Sequence, residues 1–248
     1  MDLFFNPQEP HLPFPITDSI DYSWRWDKRL QAFFITLANG QLIFAESFFN
    51  EKISQRCVEY FQEHECLGSS DTGLPYLNMT ELERIDFTHI KWQQDHIQMY
   101  GKRIPLPRLT SWYGDSGKRY SYSGISLHPR PWNKGLRYIK DTIEQATGFS
   151  FNSVLLNWYR SGDDHMSWHA DDEAELGRNP VIASVNFGET RDFVLRRMDD
   201  PTQKITIPLR HGSLLVMAGE LQHYWQHSVP KRKKVQGSRF NLTFRTII

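Results

Sequence analysis

Apolar residues between Pro131 and Gly148 follow the spacing of a helix. They recur every three or four positions, at Trp132, Leu136, Ile139, Ile143 and Ala146. This spacing gathers them on one face of an α-helix. Proline is favoured in the first turn of a helix and glycine directly after its end. The sequence therefore predicts a helix that starts after Pro131 and stops at Gly148.

The first 80 residues give less regular patterns. Residues 1–32 carry several prolines and polar residues without a clear period, which indicates a loosely attached arm. Residues 42–44 predict a short strand, and residues 66–80 are rich in turn-forming types. Between Phe48 and Glu65 we expect a helix with Asn50 as its N-cap. Its apolar face carries Ile53, Cys57, Tyr60 and Phe61.

Polar and apolar residues alternate between residues 85 and 110. The alternation is interrupted at Met99, Tyr100, Gly101 and Lys102. Alternation is typical of strands, and a glycine between two such runs marks a turn. This segment is therefore predicted to be a β-hairpin with its turn near Gly101.

Beyond residue 150 the chain changes to short segments rich in β-branched, leucine and aromatic residues. We predict strands at Ser153 to Tyr159, Val181 to Phe187, Asp192 to Arg197, Ile205 to Pro208, Ser213 to Met217 and Phe240 to Thr246. Short strands at this spacing favour a sandwich or a closed double sheet. The predicted fold class is α+β, with an arm at 1–40, a helix and hairpin region at 41–150 and a β-rich core at 151–248. The last two form one continuous domain from about residue 41.

Composition narrows the class of protein. The 248 residues carry 29 basic and 29 acidic side chains, so bulk charge does not hold this chain to nucleic acid. Cys57 and Cys66 are too few for a disulfide framework, which favours a reducing compartment. There is no signal-like N-terminus and no apolar run long enough to cross a membrane. We therefore expect a soluble, intracellular protein. We also expect it to act as a monomer.

The first candidate chemistry lies at His169 and Asp171. In an extended segment, residues two apart point the same way, so both side chains would face one point. His227 lies far downstream and offers a third ligand. Two imidazoles and one carboxylate form the ligand set of non-haem Fe(II) oxygenases. A His-x-Asp triplet also arises by chance, and His165 and His223 compete for the histidine roles.

The last predicted strand has one polar and charged face. Arginine, asparagine and threonine alternate there with apolar residues, at Arg239, Asn241, Thr243 and Arg245. A solvated strand face is one explanation. However, Asn157 and Tyr159 repeat the feature just before the metal motif, which favours the lining of a barrel mouth. Arginine presents a fork to carboxylates, so a dicarboxylate such as 2-oxoglutarate fits this lining.

In these motifs the chain resembles the AlkB-type Fe(II)/2-oxoglutarate dioxygenases. Asn157-x-Tyr159, His169-x-Asp171, His227 and Arg239-x-Asn241-x-Thr243-Phe244-Arg245 occur in the family's order and approximate spacing. The match runs from about Arg108 to the C-terminus. It looks closest to the DNA-repair branch that prefers duplex DNA, through segments such as Trp112-Tyr113-Gly114-Asp115, Tyr122-Ser123-Gly124 and Arg191-Asp192-Phe193.

The resemblance implies a double-stranded β-helix, or jelly-roll, core with N-terminal helices and a nucleotide-recognition hairpin lid. The metal ligands for Fe(II) would be His169, Asp171 and His227. Arg239 would pair with the distal carboxylate of 2-oxoglutarate, helped by Asn157 and Tyr159. Asn241 and Arg245 would hold the end near the metal, with Thr243 on the same face. The implied reaction uses O2 and demethylates 1-methyladenine and 3-methylcytosine, releasing formaldehyde and succinate.

The same resemblance implies how alkylated DNA would be reached. A finger at the hairpin tip, formed by Met99, Tyr100 and Gly101, would fill the gap left by a flipped base. The base would lie between Tyr122 and His169, with Tyr113 and Glu173 near its polar edge. Phosphate contacts are expected from Lys102, Arg103, Lys231, Arg232, Lys233 and Lys234. Activity on DNA would place the protein in the cytoplasm of a bacterium or the nucleus of a eukaryote.

Three alternatives remain open on the sequence. The first keeps the dioxygenase and changes the substrate to methylated RNA or single-stranded DNA, since Tyr100 stands where a phenylalanine is expected. The second is a cupin-like metal-binding barrel without catalysis. The third, a protein or small-molecule hydroxylase on the same fold, leaves the hairpin and the basic run unexplained.

Overall fold

In the computed structural model, two antiparallel β-sheets face each other. The structure describes residues 10–62, 90–99, 102–118, 120–122, 125–127 and 129–248. Its strands are β1 (Tyr22–Asp27), β2 (Ala32–Leu37), β3 (Gly40–Ala45), β4 (His96–Met99), β5 (Lys102–Pro105), β6 (Leu109–Gly114), β7 (Tyr120–Tyr122), β8 (Ile125–Leu127), β9 (Ser153–Tyr159), β10 (Met166–His169), β11 (Ile182–Gly188), β12 (Arg191–Arg197), β13 (Lys204–Leu209), β14 (Leu214–Ala218), β15 (Trp225–Val229) and β16 (Arg239–Arg245). Its helices are α1 (Glu51–Gln62), α2 (Lys134–Thr147) and α3 (Leu221–Tyr224), with a 3₁₀ turn at Ala174–Leu176.

From β9 onward the chain alternates between the two sheets, except that β12 and β13 follow each other in the smaller sheet. The larger sheet has the order β1-β2-β3-β14-β11-β16-β9-β6, and the smaller has the order β10-β15-β12-β13. Thus β9, β11, β14 and β16 belong to one sheet, and β10, β12, β13 and β15 belong to the other. This alternation is the arrangement of a jelly roll. The predicted double sheet is confirmed.

The pleat of each strand divides the core into two layers. Leu155, Leu195 and Leu215 are buried between the two sheets. Val154 and Leu156 face the opposite side of the larger sheet, which packs against the helices. Each fully buried side chain of this size contributes roughly 1.5–3 kcal/mol relative to an exposed one. The first layer surrounds the candidate site, and the second fixes the larger sheet from behind.

The two predicted helices are present. The backbone N–H of Ile53 donates to Asn50 Oδ1 at 3.0 Å, which confirms the predicted N-cap of α1. Helix α2 starts at an Asn133 cap rather than directly after Pro131, and Gly148 ends it in the left-handed region at φ 76°. The predicted end of the first helix, at Glu65, lies outside the described residues. No helix in the described ranges combines the length and apolar character needed to cross a membrane.

The described part of the predicted arm is packed against the core, which corrects the expectation of loose attachment. Strands β1 and β2 extend the larger sheet, because β2 pairs with β3 and β3 pairs with β14. Phe14, Ile16 and Ile20 are buried between the sheets, and Ile16 bridges to Ile205 on β13. The prolines of this segment interrupt the spacing of its apolar residues, so the sequence shows no clear periodicity. Its few large apolar side chains are nevertheless buried in the core.

Strands β4 and β5 form the predicted hairpin. Met99 pairs with Lys102, so the connection consists of the two intervening residues, Tyr100 and Gly101. These two residues lie outside the described part of the chain. A second hairpin, β7–β8, pairs Tyr122 with Ile125 and was not predicted.

Candidate active site

His169, Asp171 and His227 come together, as the sequence predicted. His169 ends β10, Asp171 follows two residues later, and His227 lies opposite His169 on β15. One ligand atom of each residue lies within 4.8 Å of the others, and His227 Nε2 is 3.8 Å from Asp171 Oδ2. Among the described residues the competing His165 and His223 belong to no such cluster. Instead, each contacts backbone oxygen nearby.

The protonation of this cluster suits a divalent cation. Burial lowers the pKa of His227 to about 3, and it also lowers the pKa of His169. Burial alone would raise the pKa of Asp171, but the Arg245 guanidinium beside it lowers the pKa to about 2. The cluster therefore presents neutral imidazoles and an ionised carboxylate, which are the forms that bind metals.

The orientation of Asp171 leaves one carboxylate oxygen for a cation. Arg245 Nη2 donates to Asp171 Oδ1 at 2.8 Å. Asp171 Oδ2 is buried and, among the described residues, accepts no hydrogen bond. A buried carboxylate oxygen without a donor is costly unless a cation binds it. Oδ2 therefore fits the role of metal ligand. The sequence alone does not show which of the two carboxylate oxygens faces the metal.

The two imidazoles are oriented by different contacts. His169 Nδ1 lies 2.9 Å from the carbonyl oxygen of Ser167, an arrangement that assigns the proton to Nδ1 and leaves Nε2 as the ligand atom. The His227 ring stacks on Phe193 with centroids 5.1 Å apart. Both rings are thus held before any metal binds.

A cavity of about 40 Å³ joins the metal cluster to the predicted cosubstrate residues. The six predicted residues all line it, namely Asn157, Tyr159, Arg239, Asn241, Thr243 and Arg245. They come from β9 and β16, whose register sets Tyr159 opposite Arg239 and Asn157 opposite Asn241. Apolar side chains such as Leu155 and Met217 complete the wall.

Arg239 is a buried cation that lacks a carboxylate partner among the described residues. Its Nη2 donates to Asn186 Oδ1, and its guanidinium carbon lies 4.9 Å from the centre of the Tyr159 ring. Nε and Nη1 are buried and make no hydrogen bond within the described ranges. Burial lowers the pKa of Arg239 to about 10, with the Tyr159 phenol opposing that shift, so the group stays charged at neutral pH. An organic carboxylate would satisfy both nitrogens.

A chain of amides connects Arg239 to a second buried arginine. Asn241 Nδ2 donates to Asn186 Oδ1 at 3.2 Å, and Asn157 Nδ2 is 3.4 Å from Asn241 Oδ1. Arg108 Nε donates to Asn157 Oδ1 at 2.8 Å. The chain holds Asn157 and Asn241 in fixed orientations across the cavity floor.

Sequence reasoning missed Arg108, Asn186 and Gln222. Arg108 stands in a loop, where no periodicity marks a buried side chain. Asn186 could have been found from the sequence. It lies two residues after Ser184 on β11, so its side chain is on the same face of the strand, and Ser184 lines the cavity. Gln222 lies on a four-residue helix that had no visible pattern.

Tyr113 does not belong to the base pocket, contrary to the sequence expectation. It is 4% exposed and pairs with Val154, so it points toward helix α2 on the far side of the larger sheet. Trp112 instead points between the sheets. Because Trp112 and Tyr113 are adjacent and both aromatic, the sequence does not show which of them points between the sheets. The register between β6 and β9 determines that it is Trp112.

Of the remaining predicted substrate residues, Lys102, Arg103 and Glu173 are not among the residues that line the described cavity. Lys102 and Arg103 are exposed on β5. Glu173 is half-buried two residues after Asp171 and precedes the 3₁₀ turn. Met99 ends β4 and Tyr122 ends β7, and their side chains lie outside the described part of the structure.

The predicted basic run divides into two kinds of side chain. Lys231, Lys233 and Lys234 are exposed. Arg232 Nε donates to Asp192 Oδ2 at 2.8 Å, so this arginine anchors the loop. The backbone of Gly162 pairs with Arg232 and Val235 at 2.8 Å each. The loop that carries the lysines is therefore clamped to the segment between β9 and β10.

We expect Gly162→Ala to destabilise the protein. A Cβ atom on Gly162 would lie 1.7 Å from the carbonyl oxygen of Arg232, so backbone must move. Forcing atoms into packed structure typically costs about 1–3 kcal/mol. Gly148→Ala is the control, since it meets nothing within 4 Å and carries only the penalty of its left-handed φ. Urea unfolding should give a smaller free energy of unfolding for Gly162→Ala than for Gly148→Ala, and the reverse order would contradict the clamp.

Known proteins share both the fold and the motifs. Residues 77–245 match the family described as "2OG-Fe(II) oxygenase superfamily". A solved structure described as "The structure of OsALKBH1" aligns with a TM-score of 0.51 over 86% of this chain and 99% of that chain. At 16% identity it supports the fold alone.

Sequence relatives are closer. Human "DNA oxidative demethylase ALKBH2" is 45% identical over 159 residues, which is 61% of this chain and 61% of the relative. Human "Alpha-ketoglutarate-dependent dioxygenase alkB homolog 3" is 47% identical over 150 residues, 57% of this chain and 52% of the relative. The Arabidopsis thaliana "DNA oxidative demethylase ALKBH2" is 40% identical over 186 residues, 64% and 59% of the two chains. The chain thus spans between half and two thirds of these relatives.

The family match covers more than half of the chain and includes the whole cavity. The relatives confirm the resemblance to AlkB-type enzymes, and the cavity holds the ligand set and the buried arginine that Fe(II) and 2-oxoglutarate require. On the family match, this chain belongs to the 2OG-Fe(II) oxygenase superfamily.

Proposed function

We propose that this protein oxidatively demethylates N-alkylated bases in DNA. The observation that carries the proposal is one cavity that joins a His-Asp-His cluster to a buried arginine without a carboxylate partner among the described residues. The substrate follows from relatives whose names state DNA demethylation. The substrate class is 1-methyladenine and 3-methylcytosine. Such a role places the protein in the cytoplasm of a bacterium or the nucleus of a eukaryote, acting as a monomer.

The residues of the cavity divide the work of binding. His169, Asp171 and His227 would hold Fe(II), which with 2-oxoglutarate and O2 supplies the oxidising chemistry when bound. Arg239, helped by Asn157 and Tyr159, would bind the distal carboxylate of 2-oxoglutarate, and the amide of Asn241 would contact the end near the metal. Because Arg245 already pairs with Asp171, it acts on the metal end through that carboxylate.

The base must leave the duplex to reach this site. A methyl group on the Watson–Crick edge blocks pairing, so a damaged base is cheaper to extrude than an intact one. His169, itself one of the three proposed metal ligands, and Tyr122 on β7 would form the two walls that receive it. Glu173 would contact its polar edge. The apolar residues around the metal exclude water from the reacting methyl group.

A formaldehyde-release assay tests the proposal. The enzyme with Fe(II) and 2-oxoglutarate should release formaldehyde and succinate in equal amounts from an oligonucleotide that contains 1-methyladenine. Comparing single-stranded DNA, duplex DNA and RNA of the same sequence decides among the related substrates. If no substrate yields succinate, a cupin-like binding barrel is favoured. If succinate forms equally well whether or not a methylated nucleic acid is present, another hydroxylase is favoured.

Replacing the exposed lysines of the basic loop should weaken DNA binding. Each lysine that contacts a phosphate releases a counterion, so the triple substitution of Lys231, Lys233 and Lys234 by glutamine should reduce the salt slope by up to about 3. Fluorescence anisotropy at several salt concentrations measures it. The matched control is the triple substitution of Lys28, Lys52 and Lys204, which are exposed lysines on other segments. Equal slopes for the two triple variants would remove the loop from the DNA interface.

Replacing Tyr100 by alanine should impair duplex repair selectively. A finger that fills the gap matters only when a partner strand is present, so demethylation of single-stranded DNA should be retained. Duplex activity should fall by about tenfold or more, because losing a stacking contact is worth roughly 1–3 kcal/mol. The measurement is kcat/KM on matched single and double strands. A proportional loss on both would contradict a finger role.

A further inference from the structure

Gln222 is buried where two ligand-bearing segments meet. It is 1% exposed and lies on α3, five residues before His227. Its Oε1 accepts a hydrogen bond from the backbone N–H of Asp171 at 2.9 Å. Its amide nitrogen lies 3.7 Å from Met217 Sδ, which lines the cavity. One side chain thus connects the segment of the third ligand to the backbone of the carboxylate ligand.

Helix α3 is itself held at both sides of Gln222. Leu221 packs so closely on Gly40 that a Cβ atom there would lie 2.4 Å from Leu221 Cδ1. His223 Nε2 contacts the carbonyl oxygen of Arg178 and lies 3.1 Å from Asn179 Oδ1. Gln222 therefore presents its carbonyl oxygen from a support that is fixed independently of the metal cluster.

Asp171 is restrained from two directions as a result. Arg245 binds its carboxylate at Oδ1, and Gln222 binds its main chain. Two restraints on one residue determine where the remaining oxygen, Oδ2, points. Without the hydrogen bond to Gln222, the Arg245 pair alone would let the backbone of Asp171 pivot around the carboxylate.

We propose that Gln222 is a positioning residue that sets the metal affinity of the site. It touches neither metal nor substrate and acts through the backbone of Asp171. This inference rests on the proposed metal site. Groups that orient metal ligands typically contribute about 10- to 100-fold in affinity when they are removed.

The test is the Mn(II) affinity of the full chain without cosubstrate or DNA, measured by titration with electron paramagnetic resonance. Gln222→Met keeps the volume and loses the amide acceptor, so Mn(II) should bind about 10- to 100-fold more weakly. Gln222→Asn keeps the amide but is one methylene shorter, and it should lose affinity in the same range. Thermal unfolding in EDTA reports whether each variant folds without metal.

Gln226→Met is the matched control. Gln226 lies on the same segment, beside His227, but its Oε1 accepts from Arg196 on β12 at 2.7 Å and not from Asp171. Its substitution should leave Mn(II) affinity unchanged. Wild-type affinity in a folded Gln222→Met or Gln222→Asn variant overturns the inference. If neither variant folds in EDTA, Gln222 is structural and the inference also fails. If the wild type binds no Mn(II), the proposed metal site fails instead.

Discussion

Replacing Asp171 by alanine is expected to abolish the proposed demethylation and to destabilise the metal-free protein. The substitution removes the only carboxylate of the described metal cluster, so Fe(II) affinity should disappear and formaldehyde should fall below detection. It also removes the carboxylate that Arg245 contacts at 2.8 Å in a buried site. Breaking a buried ion pair from one side typically costs about 3–5 kcal/mol. Urea unfolding in EDTA should therefore show a clear decrease in the free energy of unfolding for this variant.

Two further variants separate these effects. Asp172→Ala removes an adjacent but exposed carboxylate and should leave both metal binding and stability unchanged. Combining Asp171→Ala with Arg245→Met removes both members of the ion pair, and it should recover much of the stability without recovering metal binding. Detectable turnover by Asp171→Ala, or an equal loss in Asp172→Ala, would exclude Asp171 as the carboxylate ligand.

The sequence predicted those parts of the site that depend on strand periodicity. On β16 the polar residues alternate with apolar ones. This alternation alone predicts that Arg239, Asn241 and Arg245 share one face of the strand. The register between β9 and β16 then brings Tyr159 beside Arg239. Because side-chain parity is fixed once a strand is recognised, six of six predicted cosubstrate residues line one cavity.

Prediction failed where no periodicity could guide it. Strands β10 and β15 carry two metal ligands but were not predicted, because they are short and their pairing is irregular between Met166 and His169. Arg108 stands in a loop, and its partner Asn157 is 49 residues away. Contacts of this kind depend on packing between distant segments, which one sequence does not record.

Arg245 lies where the sequence predicted it, but its contact differs from the predicted one. It lines the cavity as expected, but its guanidinium is paired with Asp171 rather than left free for 2-oxoglutarate. Arg239 differs in this respect, since no described carboxylate neutralises it. The alternating pattern of β16 treats the two arginines alike, and only the three-dimensional arrangement of their partners distinguishes them.

Replacing Arg239 by methionine is therefore expected to weaken 2-oxoglutarate binding selectively. Truncating one member of a buried charge pair costs roughly 2–5 kcal/mol, which corresponds to about 30-fold to several thousand-fold in affinity. Mn(II) affinity should stay unchanged, because the metal ligands lie on other residues. Arg239→Lys should not restore binding, since an ammonium group lacks the planar fork that matches a carboxylate. Isothermal titration with 2-oxoglutarate measures the effect.

Stability without cosubstrate gives an independent readout of the same residue. Arg239 is buried, and two of its nitrogens make no hydrogen bond in the described ranges. Burying this charge therefore lowers the stability of the protein when no cosubstrate is bound. Arg239→Met should therefore be at least as stable as the wild type when 2-oxoglutarate is absent, and 2-oxoglutarate should stabilise only the wild type. Arg25→Met, an exposed arginine on β1 of the same sheet, is the control and should keep the full stabilisation. Undiminished 2-oxoglutarate affinity in Arg239→Met would mean that another cation binds the cosubstrate, and buried Arg108 would then be the first residue to substitute.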